Sequence, residues 1–391
     1  MAPAKLELPG AVTKRGVARL AVPTVPRRSV AQEVSALLDS PEIAELIREL
    51  DALRWTGRKG YGSRALVGAC LVKSLYAIPT WSRTAALIAE HDALRAALGD
   101  APSVYACYRF TTKLRAHSDK LADCLDRVTA SLQAELPEYG RDVAIDASDL
   151  PAYANGQRYV SKGGRERERF SDPDASWGHR SAISTRKGGG FYGYKLHAVM
   201  CERTELPVAW RVETARTHES SLADDLLQRV RERKFQPETA TLDKGYDVIP
   251  VYEACERAGA LPIIPLRQTP FVKRGDHRAP ECEHGSWKFA GADAKRKATK
   301  WRCPTGECSP ASRWIKADRL HPLVPRETKR WHDLYRGRGA VEREFGRLKH
   351  EWGLGPLRVR GIEKVALHAD LCILARLAVA LARARAVPLA A

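Results

Sequence analysis

Two short β-prone runs, Val143-Ala144-Ile145 and Thr239-Ala240-Thr241-Leu242, each stop on an aspartate, Asp146 and Asp243. Apolar runs of that length bounded by polar residues read as buried strands, and a carboxylate continues into a core only at a large desolvation cost. A fold built on these runs therefore brings acids to the ends of buried strands. Segments 191–201 and 206–214 read as two further strands, close enough to form a hairpin. Helical periodicity follows at 218–233 and 248–258, a last strand at 261–265, and long helices at 331–352 and 362–386. Strand, hairpin, helix, strand, helix, strand, helix is an α/β layer architecture. A strand-end aspartate is, by itself, most often a cap or turn residue.

The rest of the chain is organised around that unit. Residues 1–28 read as a flexible basic leader rich in proline, without the continuous apolar core of a secretory signal. Residues 29–138 carry helical spacing throughout, and Ser63, Thr80 and Ser103 stand where helix caps belong. The third of these helices interleaves Tyr105, Tyr108, Arg109, Lys113 and Arg115, which suit duplex phosphates or, more plainly, a solvated basic face. Segment 154–190, with Arg165 to Arg169 and three successive glycines, reads as a long mobile loop. Segment 267–328 reads as an irregular insertion.

Charge narrows the class of partner. Lys and Arg number 65 against 47 Asp and Glu, a formal net charge of +18, which points to a polyanion, with nucleic acid ahead of acidic lipid. The apolar C-terminal segment is interrupted by His368, Asp370, Arg376, Arg383 and Arg385, so it reads as a packed helix and no membrane span is expected. At 44% hydrophobic and 29% charged residues the chain is not wholly disordered. Nine cysteines are too few and too scattered for a disulfide scaffold. The cytosol is the expected compartment, with Cys70, Cys107, Cys124, Cys201, Cys255 and Cys372 as buried free thiols.

One helix carries the strongest pattern. On a continuous helix of about 100° per residue, Tyr335, Arg338, Glu342 and Lys349 share a face about 60° wide. Val341, Phe345, Leu348 and Trp352 form the apolar stripe beside it, and Glu344 falls toward solvent with Arg343, Arg347 and Glu351. A carboxylate at the core edge between two cations suits a divalent metal, with the cations on phosphate oxygens. A surface salt-bridge face is the competing reading.

The spacing of Tyr335, Arg338, Glu342 and Lys349 resembles, without departure, the Y-R-E-K signature of insertion-sequence DDE transposases. The resemblance covers most of the chain, more loosely in the N-terminal helical region. It implies an RNase H-like mixed sheet flanked by helices, an all-helical DNA-binding domain at 29–138, and a catalytic domain at 141–391 interrupted at 267–328. Asp146 fits the family's first acid, Asp243 the second in a version of its D-x-G-Y-D motif, and Glu342 the third. Asp149, the competitor to Asp146, reads as a turn residue or a helper, Asp142 as an exposed strand start, and Asp247 as a cap for the following helix. Segment 191–197 resembles the family's second strand, where Tyr194, Lys195 and His197 could face DNA; a wet strand face is preferred for His197, and Lys195 is expected on substrate phosphate, with Tyr335, Arg338 and Lys349.

The implied chemistry is two-metal phosphoryl transfer. Asp146, Asp243 and Glu342 would hold two Mg²⁺ ions, one activating the attacking water or 3′-hydroxyl and the other stabilising the leaving oxygen. The resemblance further implies binding of terminal inverted repeats in double-stranded DNA, cleavage at the element's ends, transfer of 3′ ends into target DNA, a homodimer that joins the two ends, and a cytoplasmic, nucleoid-associated protein. The rivals are an RNase H-like nuclease without strand transfer and an inactivated relative that only binds DNA.

The insertion adds Cys282-Glu-His284 and Cys303-Pro-Thr-Gly-Glu-Cys308. Four nitrogen and sulfur donors so close in sequence suit a structural Zn²⁺, with His277 and His321 as substitutes for His284. The competing reading is a chance grouping of cysteines in a basic loop. Its Lys and Arg residues, with Trp287 and Trp301, suit DNA contact.

Overall fold

The computed structural model describes residues 29–53, 60–160, 164–180, 187–267 and 279–386; the expected leader and His277 lie outside them. Seven helices come first: α1 (Val30–Leu38), α2 (Pro41–Ala52), α3 (Ser63–Leu75), α4 (Trp81–Glu90), α5 (Asp92–Leu98), α6 (Val104–Ala116) and α7 (Ser118–Glu135). Thr80 and Ser103 cap α4 and α6 as expected, accepting from the backbone N–H of Arg83 and Ala106. Ser63 does not cap α3. Gly62 takes that position, and the Ser63 hydroxyl donates to Asp51 at 2.6 Å instead.

A six-stranded mixed sheet follows. Its centre is β1 (Asp142–Pro151), antiparallel to β3 (Gly189–Cys201) on one side and parallel to β5 (Thr239–Leu242) on the other. Strand β6 (Leu261–Ile263) extends the parallel side. Strands β2 (Ser176–Arg180) and β4 (Pro207–Thr214) both pair antiparallel with β3, at successive stretches of its length. Helices α8 (Ala223–Glu232) and α9 (Ile249–Arg257) supply the crossovers, followed by α10 (Lys329–Tyr335), α11 (Gly339–His350) and α12 (Ile362–Ala386). The mixed sheet, with an all-helical region before it and helices flanking it, is the expected architecture.

Helix α12 joins the two halves. By length and composition it is the one described helix apolar enough to cross a membrane. Here it packs against α3, α7 and β4, and Leu374, Ala375 and Leu377 are buried. The apolar residues of the first helices and of the sheet form one continuous core. Polar bonds fix the helix lengthwise: Trp210 Nε1 donates to Asp370 at 2.8 Å, and Arg385 pairs with Glu42 at 2.7 Å.

Four sequence expectations change. The first strand does not stop at Asp146 but runs on to Pro151, because β3 continues to pair with it after β5 has ended. Segment 154–190 is not simply a loop: it contributes β2 and buried Asp172, which accepts from the Tyr194 hydroxyl and the Gly361 N–H at 2.6 and 3.1 Å. The insertion is not irregular. It holds a hairpin, β7 (Glu281–Cys282) with β8 (Gly285–Ser286), and an antiparallel sheet of β9 (Lys288–Asp293), β10 (Ala298–Arg302) and β11 (Ser312–Lys316) over buried Trp287, Trp301 and Cys303. Lys and Arg interleaved among its few apolar residues masked the alternation. Finally, the helix expected at 331–352 is broken by a tighter 3₁₀ turn at Arg336–Arg338, which changes its phase.

Candidate active site

The parallel register sets the site. The last pair between β1 and β5 is Ile145 with Leu242. Asp146 and Asp243 are the next residues on the two chains, so both carboxylates leave adjacent strands at one level, about 5 Å apart in backbone. Asp243 then turns the chain: its Oδ1 accepts from the Gly245 N–H at 2.7 Å, at the start of the short helix Lys244–Tyr246. A Cβ on Gly245 would stand 2.9 Å from that oxygen.

Arg338, the last residue of the Arg336–Arg338 turn, links Glu342 to Asp146. Arg338 Nη2 donates to Asp146 Oδ2 at 2.5 Å and Nη1 donates to Glu342 Oε1 at 2.7 Å. Asp146 and Arg338 are mostly buried, whereas the Glu342 side chain is 65% exposed. Burial pushes the Asp146 carboxyl up to about 7; Arg338 opposes this and Asp243 and Glu219 add to it. Tyr335 stacks on Trp331 with ring centroids 4.9 Å apart. Burial raises its phenol against the pull of Arg338, and Asp243, Asp146 and Glu342 all raise it further, so its hydroxyl has the three acids as electrostatic neighbours. The Lys349 ammonium lies 3.8 Å from Asp149. Lys195 lies on the same sheet opposite Asp149 and donates to Glu219 at 2.6 Å.

Several secondary expectations are corrected. Glu344 is fully buried and bonded to Arg376 at 2.8 Å and Arg347 at 3.1 Å. Both acids of the helix border its apolar stripe, and the packing of α12 covers the Glu344 side. Asp142 is buried under Thr239 and Arg203. Asp149 is a strand residue, paired with Arg180 at 3.1 Å. Asp247 does not cap α9; it is buried and accepts from Tyr252 at 2.8 Å and from Arg319 at 2.5 Å. Tyr194 and His197 face the interior, both wholly buried. Burial drives the His197 imidazole down to about 3, so it is neutral, and the strand face expected to be wet is closed off at this position.

Two further neighbours adjoin the acids, Glu219, which the sequence reading missed, and Tyr246, the tyrosine of the D-x-G-Y-D motif. Glu219, just past β4, sits beside Asp146 and holds Lys195. Tyr246 is fully buried with an unpartnered hydroxyl, and its electrostatic neighbours include Asp146, Glu219 and Asp243. Only the position of Glu219 directly after a strand hinted at its place.

In the insertion, the Sγ atoms of Cys282, Cys303 and Cys308 lie within 4.8 Å of one another, the one such group of three metal-donor atoms among the described residues. Against the effect of burial, the Thr305 hydroxyl and backbone N–H groups hold the Cys303 thiol down at about 5. Three sulfurs gathered around a thiolate fit a soft divalent ion such as zinc. His284 stands outside that group, its Nε2 3.5 Å from Glu283 and 3.6 Å from Glu307. His321 lies 3.4 Å from Asp318.

The family model described as transposase DDE domain matches residues 140–378. Among solved structures, the chain is similar to a piggyBac transposase synaptic complex with hairpin DNA, at 12% identity and a TM-score of 0.39, over 90% of this chain and 74% of that one. No curated protein matches.

Proposed function

The chain belongs to the DDE transposase domain family, and on that premise we propose that it binds the terminal inverted repeats of an insertion sequence, cleaves at their ends and transfers the 3′ ends into target DNA. The observation that carries this reading is the register that sets Asp146 beside Asp243, with Arg338 tying Glu342 to the pair.

The donor set fits hard cations. Asp146 is a carboxyl that burial holds partly neutral, and a nearby cation would favour its ionised form. Asp146, Asp243 and Glu342 are the residues that would hold two Mg²⁺. When bound, the ions supply an activated water or 3′-hydroxyl and stabilisation of the leaving oxygen.

The protein's own groups divide the remaining work. Asp146 and Asp243 fix the site to a rigid sheet, and Glu342, on an exposed helix edge, closes it. Arg338 offsets part of the charge of Asp146 and Glu342, and it presents its guanidinium to a phosphate entering between them. Tyr335 is held by Trp331 and lends its hydroxyl to the same space. Lys349 and Lys195 contact backbone phosphate, Lys195 trading Glu219 for the incoming anion. The helical region at 29–138 recognises the repeats and the chain acts as a homodimer on DNA in the cytoplasm. A structural zinc on Cys282, Cys303 and Cys308, with His284 as the fourth donor, stiffens the insertion.

The test is Mg²⁺-dependent cleavage of duplex DNA carrying the sequences that flank the gene. Cleavage is lost in Asp146→Asn, Asp243→Asn and Glu342→Gln while DNA binding persists. Undiminished cleavage in any of the three sinks the assignment. Labelled ends joined to target DNA establish transfer, and hydrolysed ends alone establish the nuclease reading.

A further inference from the structure

A cleft of about 810 Å³ opens between the first helices and the segment that joins α11 to α12. It lies outside the acid cluster. Five of its lining residues are cationic: Lys73, Arg115, Arg358, Arg360 and Lys364. None is a carboxylate. Among the described residues, Arg115 reaches Glu363 at 4.0 Å, and that carboxylate is largely exposed. His368, at the cleft's inner side, is driven down to about 4 by burial and adds no charge near neutral pH.

Three of the cations are held by aromatic rings. Arg358 and Arg360 lie over the Tyr153 ring at 5.2 and 5.1 Å, and Arg360 Nε also donates to the Tyr153 carbonyl at 2.7 Å. Lys73 lies over Trp81 at 5.7 Å. Helix α6 contributes Tyr108, Thr112 and Arg115, two of them from the sequence's interleaved tyrosines and cations. Two guanidinium groups held at one ring keep like charges close together, which costs energy until an anion lies near them.

The cleft also lies close to the site along the chain. Its floor meets α11 where the Gly355 N–H donates to the Lys349 carbonyl at 3.2 Å. Tyr153 follows Asp146 by seven positions on the chain of β1. An extended strand covers at most about 24 Å in that length, roughly seven base pairs of duplex. One duplex can thus lie in both.

We propose that this cleft is a second DNA-contacting surface, in which Arg358, Arg360 and Lys364, ordered by Tyr153, grip the sugar–phosphate backbone of duplex DNA beside the bond presented to Asp146. The proposal rests on the DNA-cleaving reading of the acid cluster, but a separate measurement tests it.

The measurement is the affinity of the full chain for a fluorescently labelled mixed-sequence duplex across a salt series without Mg²⁺. Each phosphate contact contributes about 0.9 to the slope of log affinity against log salt. Arg358→Ala with Arg360→Ala lowers the slope by about 2 and the affinity about tenfold or more at physiological salt. Lys364→Glu, outside the Tyr153 clamp, lowers affinity in the same direction even if the double variant folds poorly. Tyr153→Phe retains binding and Tyr153→Ala weakens it. Arg231→Ala with Arg257→Ala removes the same charge from exposed sites on α8 and α9, outside the cleft and the N-terminal helices, and serves as the control. If wild type binds and the cleft variants match this control, the cleft is overturned while the transposase reading stands. If the wild-type chain shows no affinity for DNA, both fail. If polyglutamate binds as tightly and is lost in the same variants, the cleft is an acidic-peptide groove and the proposal is wrong.

Discussion

The Arg338 guanidinium donates to the Asp146 carboxylate at 2.5 Å, across 192 residues of sequence. The same guanidinium reaches Glu342, so one planar group spans two acids that would otherwise repel. A lysine cannot do this, because a point charge on a flexible stem replaces a rigid fork. Arg338→Ala is expected to slow single-turnover cleavage about a hundredfold, and Arg338→Lys to recover only part of it. Full activity in Arg338→Lys would show that charge alone matters there.

Asp146 sets a pH dependence of stability in metal-free protein. Burial raises its carboxyl from 3.8 to about 7. A raised folded value means that the stability of the neutral form is complete below the unfolded value and is lost as pH climbs through the window between 3.8 and about 7. Asp146→Asn stays neutral, so its melting temperature should exceed that of wild type by several degrees above that window and converge with it at acid pH. Mg²⁺ should raise the wild-type melt and leave the variant unmoved. A constant gap at every pH would contradict the assignment, and differential scanning fluorimetry reads it directly.

Glu342 and Glu344 stand two residues apart and should behave oppositely. Glu344 is buried with Arg376, so Glu344→Gln leaves a cation without its charge partner and costs about 3 kcal/mol of stability. Cleavage by the remaining folded protein should stay within about twofold, since Glu344 touches none of the three acids. Glu342→Gln should leave the denaturation midpoint nearly unchanged and abolish cleavage. Chemical denaturation alongside cleavage rates separates the two, and a stability loss in Glu342→Gln equal to that of Glu344→Gln would refute the distinction.

The three clustered sulfurs predict one zinc per chain by elemental analysis. Cys303→Ser or Cys308→Ser should empty the site and lower the thermal stability of the insertion, as chelation would. His284→Ala should weaken zinc binding about tenfold. Full retention would give the fourth position to another donor, and zinc-free protein with all three thiols titratable would remove the site.

Local pattern in the sequence determined a good deal. The runs before Asp146 and Asp243 specified two buried strands, since β-prone apolar residues have nowhere else to go. Fixed spacing placed Tyr335, Arg338 and Glu342 within one short stretch, and Thr80 and Ser103 marked true helix starts. Tertiary structure alone decided the rest. Whether Glu342 or Glu344 met solvent depended on which side of α11 received α12, and a helical wheel has no knowledge of its neighbours. Asp172, Glu219 and Tyr246 gained their places through chain segments far apart in sequence. The basic cleft exists because α6 and the approach to α12 happen to face one another. Periodicity reports which residues share a face; burial, and the charge a buried carboxyl carries, depend on what packs against that face.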